Sequence, residues 1–202
     1  MSPRKTKERV FSAHEVANIC GVVNQTVINW IDKGHLAAFR TPGGQYRVYP
    51  DVLASFFKEQ CMRLPEEVQK ILAEQSRIDK VLIIDSDKRF VDAVTTVLAE
   101  KYSNASVDTA SDVFDAGRYI SNSPDLIFVA TDLAGIDGLG LCQKIRNDRN
   151  LTNPIVIAVS SNDVGDDALE AGADAFLKKP IDRNELPELI ARLAEERVTR
   201  KS

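Results

Sequence analysis

The chain has 202 residues, 44% hydrophobic and 28% charged, which favours one or two globular domains with real cores over disorder. There is no apolar run of about 18 residues, and the basic start MSPRKTKERV has no apolar segment behind it, so a cytoplasmic protein without membrane partners is expected. The net charge of −4 is uneven: residues 1–50 carry seven Lys/Arg against three acids, while residues 77–202 carry sixteen against twenty-two, so any polyanion binds the N-terminal end.

The first organised stretch is FSAHEVANICGVVNQTVINWIDKGHL. Ser12 and Glu15 have the spacing of a capping box, and Phe11 and Val16 flank it as a hydrophobic staple would, so a helix should start at Ala13 and end at Gly21. A second helix is predicted from an Asn24 cap to Gly34, with Val27, Trp30 and Ile31 on its inner face. Its other stripe is Gln25, Ile28, Asn29 and Asp32, mostly polar and free to touch a partner. Two short helices joined by a turn of about three residues make a helix-turn-helix candidate.

Two strand-like pieces follow, Leu36 to Arg40 and Gln45 to Tyr49, around the turn residues Thr41, Pro42, Gly43 and Gly44, with Arg40 and Arg47 on the arms. A third helix should follow Pro50 and bury Val52, Leu53, Phe56 and Phe57. Residues 61–79 are polar with sparse apolar positions (Val68, Ile71, Leu72) and read as a helical linker or dimer contact between a domain of residues 1–60 and one of residues 80–202.

From Lys80 the pattern alternates. VLIID, ASVDT, LIFVA, IVIAV and AFLKK are β-rich runs, separated by helical stretches such as RFVDAVTTVLAEKY and LGLCQKIRN. Such units predict a parallel sheet covered by helices on both faces, with right-handed crossovers. Ligands in such folds sit beyond the carboxyl ends of the strands. Asp85, Ala130, Ser160 and Lys179 each follow one of those ends.

Both halves resemble known families. VLIIDSDKRF, PDLIFVATDLAGIDGLGLCQKIR and ALEAGADAFLKKPID together resemble the receiver domain of bacterial response regulators, which implies a flavodoxin-like (βα)5 domain with sheet order 2-1-3-4-5. TVINWIDKGHLAAFRTPGGQYRVYP resembles the MerR-like and excisionase-like winged helix-turn-helix. That second resemblance implies double-stranded DNA as partner, with the second helix in the major groove presenting Gln25, Thr26 and Asn29, and the wing residues Arg40, Thr41, Gly43, Gly44, Gln45 and Arg47 on the backbone. Arg4, Lys5, Lys7 and Arg9 would add phosphate contacts. Relatives usually carry a histidine and two basic residues after the glycines, where this chain has Gln45, Tyr46 and Arg47, so its wing is less basic.

The receiver resemblance also implies an aspartate acceptor after the third strand of that domain and a divalent ion held by it and by acids after the first. The acceptor lies eight residues before the last glycine of GIDG, Gly138, and therefore falls on Ala130. The adjacent acids of the first-strand motif are here Asp85 and Ser86. Ser160 stands at or near the family's hydroxyl, Phe176 at its aromatic switch position and Lys179 at its lysine, with the segment from Ser160 to Ala171 about one helical turn short. With two of three acids gone, the expectation is a pseudo-receiver with no cofactor and weak or absent magnesium binding, serving homodimer or higher assembly or a protein partner. The alternatives are phosphorylation at Asp132, which lies roughly 6.5 Å of extended chain beyond Ala130, and a non-transcriptional scaffold. No enzyme is expected, because no nucleophile with its base, metal cluster or glycine-rich phosphate loop occurs. Cys20, Cys61 and Cys142 are far apart and outside any CxxC pair, and read as reduced thiols.

Overall fold

The structure, a computed structural model, describes residues 9–133, 135, 137–151 and 153–199. The described residues up to Ser76 form one compact unit and Arg77–Arg197 a second.

The N-terminal unit begins with a short strand, β1 (Phe11–Ser12), that passes directly into α1 (Ala13–Cys20). Ser12 caps this helix in a full capping box: its hydroxyl accepts from the Glu15 amide, and the Glu15 carboxylate accepts from the Ser12 amide. Phe11 and Val16 are both fully buried. Gly21 closes the helix at φ 67°, a left-handed conformation that glycine takes without strain. Ser12→Ala should cost about 1 kcal/mol in urea unfolding. The Ser12 amide and hydroxyl, bonding to the Glu15 carboxylate, hold its pKa below the ordinary 4.5 despite partial burial. A lowered folded pKa stabilises above the unfolded value, so this contribution is complete at neutral pH and fades as pH falls through the folded value.

Helix α2 (Asn24–Asp32) starts one residue earlier than the sequence suggests, because Asn24 is already helical and Val23 takes the cap position with no side-chain hydrogen bond. Val27 is fully buried, and Trp30 lies against Phe56 with ring centroids 5.1 Å apart. The hairpin is also shorter than expected: β2 (Phe39–Arg40) and β3 (Tyr46–Val48) pair antiparallel, while Leu36 leaves the strand to fill the core. The sheet order is β1-β3-β2, with Ser12 opposite Arg47, so β1 backs the hairpin. Helix α3 (Pro50–Glu59) buries Leu53, Phe56 and Phe57. The region read as a linker holds α4 (Glu66–Gln75), whose Val68 and Ile71 join the same apolar cluster as Phe11, Val27 and Phe57. Its sparse apolar positions are therefore core contacts of the N-terminal unit, a role that a local pattern cannot distinguish from a linker.

In the second unit the strands are β4 (Lys80–Ile84), β5 (Ser106–Ala110), β6 (Leu126–Ala130), β7 (Ile155–Ser160) and β8 (Ala175–Lys178), all parallel in the order β5-β4-β6-β7-β8. Alternation along them builds two cores. Ile83, Phe128 and Ile157 face α5 (Lys88–Lys101) and α9 (Glu185–Thr199). Leu82, Ile127 and Val156 face α6 (Val113–Ile120), α7 (Gly138–Asn147) and α8 (Gly165–Glu170). Residues buried on both sides explain why the central strands read as unbroken apolar runs. Among the described residues, no helix is long and apolar enough to cross a membrane.

Candidate functional site

The carboxyl ends of β4, β6, β7 and β8 lie side by side along one edge of the parallel sheet of the second unit. Asp85 follows β4, its amide held by the Ala110 carbonyl at 3.0 Å, and it is almost fully buried. One carboxylate oxygen accepts from the Asp87 amide at 2.9 Å, and Asp87 in turn caps α5. The other oxygen meets the Lys179 ammonium at 2.6 Å as an ion pair off the direction of a hydrogen bond. Lys179 reaches in from the end of β8, where its amide bonds the Ser160 carbonyl at 2.8 Å, and its ammonium lies 5.1 Å from the Phe90 ring centre.

β6, the third strand of this sheet in chain order, ends on Ala130, which is 1% exposed and has no side-chain oxygen. Gly138 lies directly against it: a Cβ there would come within 2.5 Å of the Ala130 carbonyl oxygen. Only a glycine lets α7 start this close to the strand end. Asp132 lies beyond, on the loop leading to α7, and accepts from the Ser161 amide at 2.9 Å while its other oxygen stands 3.6 Å from Lys179. Partial burial works against its charge, but the Ser161 hydrogen bond and the Lys179 ammonium together hold its carboxyl below the ordinary range. Ser160 is fully buried with its hydroxyl accepting from the Asn162 amide. Ser86 is exposed, and Phe176 is half-buried against the start of α8, where it packs at Gly165. The structure thus brings Asp85, Lys179 and Asp132 into one charge network and leaves Ser86 outside it.

The second candidate surface belongs to the N-terminal unit. Gln25 and Asn29 are exposed one turn apart on α2, joined by a 3.2 Å hydrogen bond from the Gln25 amide to the Asn29 oxygen; Thr26 is half-buried beside them. Across the hairpin turn the Thr41 amide bonds the Gln45 carbonyl at 2.9 Å, and Gly44 adopts φ 77°. Gly43 is exposed at the tip. Arg47 bonds the Tyr46 carbonyl and the Gln45 side chain. Arg40 stacks over the Tyr46 ring at 4.4 Å, and the Tyr46 hydroxyl donates to Asp32 of α2 at 2.6 Å. This bond gives Asp32, the one acid on the helix's exposed stripe, a partner on the hairpin. Nothing in the local sequence pairs positions 14 apart; only the folded hairpin does. Arg9 is ion-paired with Glu67 of α4 and lies 5.5 Å from the Phe11 ring centre, while Arg4, Lys5 and Lys7 fall outside the described residues.

Comparison with known proteins separates the same two units. Residues 81–191 match the family model described as the response regulator receiver domain, and residues 10–61 match one described as a helix-turn-helix domain. The DNA-binding response regulator MtrA of Mycolicibacterium smegmatis is 31% identical over 110 residues, 53% of this chain and 46% of that protein. Response regulator ArlR of Staphylococcus saprophyticus is 32% identical over 117 residues, 56% of this chain and 50% of that protein. The chain therefore spans about half the length of the curated relatives it matches. Among solved structures, the signal receiver domain of a DNA binding response regulator from Colwellia psychrerythraea superposes with a TM-score of 0.54 at 30% identity, covering 58% of this chain and 98% of that one. A two-component response regulator from Clostridium difficile gives 0.51 at 32% identity, covering 57% and 94%.

Proposed function

The chain belongs to the response regulator receiver domain family, and we propose that it is a DNA-binding regulator whose receiver half works without phosphorylation. What supports this reading is the end of β6: Ala130 closes the strand without a side-chain oxygen, and the largely buried Lys179 ammonium is already paired with Asp85 at 2.6 Å.

A receiver's magnesium ion wants near-octahedral oxygen ligands, usually one or two carboxylates with water and phosphate. The residues present do not suit it. Of the two Asp85 oxygens one accepts an amide and the other faces an ammonium, Ser86 offers a neutral, exposed hydroxyl, and Ala130 offers no side-chain oxygen. Among the described residues, no group of three or more His, Cys, Asp or Glu is placed to hold a metal ion. The receiver half then acts through assembly or a protein partner, in a conformation that the buried pair maintains. The N-terminal unit supplies DNA affinity in the MerR-like or excisionase-like manner: Gln25, Thr26 and Asn29 face base edges and the Arg40 and Arg47 hairpin rests on the backbone.

Incubation of the full chain with acetyl phosphate and magnesium, followed by intact-mass spectrometry, should show no added phosphoryl group. Stoichiometric labelling mapped to Asp132 would overturn the reading. DNA binding is read separately, as salt-dependent association with random duplex.

A further inference from the structure

We propose that the cluster of Lys179 and the Ser161 amide at the strand ends of the receiver half is an oxyanion seat already filled by the chain's own Asp132 carboxylate, which acts as a resident ligand in place of a small external anion. The inference rests on the reading of Ala130 as a position without an acceptor.

The geometry is that of a bound anion. One Asp132 oxygen takes the Ser161 backbone N–H at 2.9 Å; the other lies 3.6 Å from the Lys179 ammonium. A backbone amide and a lysine, converging from two different strand ends, are the donors that recognise a phosphate, sulfate or carboxylate by charge and hydrogen bonding. The Asp132 side chain is 24% exposed and the Lys179 side chain 10%, so the seat opens toward solvent on the Asp132 side while its cation is largely dry. Two different loops and a strand end are linked through this carboxylate: its own loop after β6, the Ser161 loop after β7, and Lys179 after β8. These contacts tie the three segments together through one side chain.

Charge explains why an external anion would not displace it. Among the described residues, Lys179 is ion-paired with Asp85 at 2.6 Å and with Asp132 at 3.6 Å, so one ammonium serves two carboxylates. An incoming oxyanion would bring a third negative charge to one positive one. Removing the Asp132 carboxylate leaves Asp85 and Lys179 balanced, frees the Ser161 N–H, and vacates the space that the carboxylate fills. The domain then becomes responsive to the kind of ligand that the parent chain excludes.

The test is a titration of the 15N-labelled full chain with inorganic phosphate at constant ionic strength, following the Ser161 amide resonance. Asp132→Ala should show a saturable shift, with an apparent affinity about tenfold or more above that of the parent chain, as expected for loss of one like charge next to the site. Adding Lys179→Met to Asp132→Ala should abolish the shift. Where Asp132→Ala does not fold, Asp132→Ser carries the same expectation. The proposal is overturned if the parent chain binds phosphate as tightly as the variant, if the variant shows no saturable shift, or if binding survives Lys179→Met. Inorganic phosphate cannot phosphorylate a carboxylate, so failure here is distinct from labelling of Asp132 by acetyl phosphate, which would strike the proposed function instead.

Discussion

Asp85→Ala should destabilise the receiver half by about 3 kcal/mol, because it strips a nearly buried ammonium of its close partner. The Lys179 side chain is 10% exposed and that of Asp85 3%, with 2.6 Å between the charges. Removing one member of such a pair costs roughly 3–5 kcal/mol, most of it the penalty of leaving the other charge desolvated. Asp132, 3.6 Å from the same ammonium, places the expectation at the low end of that range. The Asp87 amide at the start of α5 loses its acceptor as well. Asp85→Ala combined with Lys179→Met should recover most of the loss, since an apolar chain of similar length has no charge to strand. Urea unfolding of the two single variants and the double variant measures this directly. A single-variant loss below about 1 kcal/mol would mean the pair behaves like an exposed surface bridge, and the fixed pocket conformation would lose its physical basis.

Replacing Arg40 and Arg47 by alanine together should weaken binding to duplex DNA about thirty-fold near physiological salt and lower the slope of log affinity against log salt by about 1.8, the share of two phosphate contacts. Both side chains lie on the hairpin arms, Arg40 stacked over Tyr46 and Arg47 bonded to Gln45, so each guanidinium is oriented before DNA arrives. Preorganisation of this kind reduces the entropy lost on binding. The two substitutions should leave sequence preference nearly unchanged, because phosphate contacts carry register and affinity rather than base identity. Filter binding or fluorescence anisotropy across a salt series, on random and mixed-sequence duplexes, reads both quantities. An unchanged slope would remove the hairpin from the interface and leave the exposed stripe of α2 as a surface for protein.

Much of this was legible in the one-dimensional pattern. Apolar runs bounded by turns located β4, β6 and β7 to within a residue, because strands buried on both faces have no polar positions to blur them. Ser12 with Glu15 announced the start of α1, since a capping box is a local device completed within four residues. The close approach behind β6 has a sequence counterpart too: Gly138 is the last glycine of GIDG, and in the structure it lies against the Ala130 carbonyl where no side chain would fit.

Interactions between positions distant in sequence were decided only by the tertiary structure. Val68, Ile71 and Leu72 could serve a linker or a core, and only the packing of Val68 and Ile71 in one cluster with Phe57 assigns them to the N-terminal unit. Arg146 looks like an ordinary basic residue near a helix end, yet it bonds Asn153, Gly172 and Asp174 and ties α7 to the approach of β8. Tyr46 reads as a departure from the basic wing, and the fold makes it the partner of Asp32. Asp132 read as a residue arriving two positions late; the structure turns that offset into reach, because a side chain on the loop can meet Ser161 and Lys179 from outside the strand end. Local order follows from spacing along one chain, whereas charge pairing depends on which strand ends the sheet sets side by side.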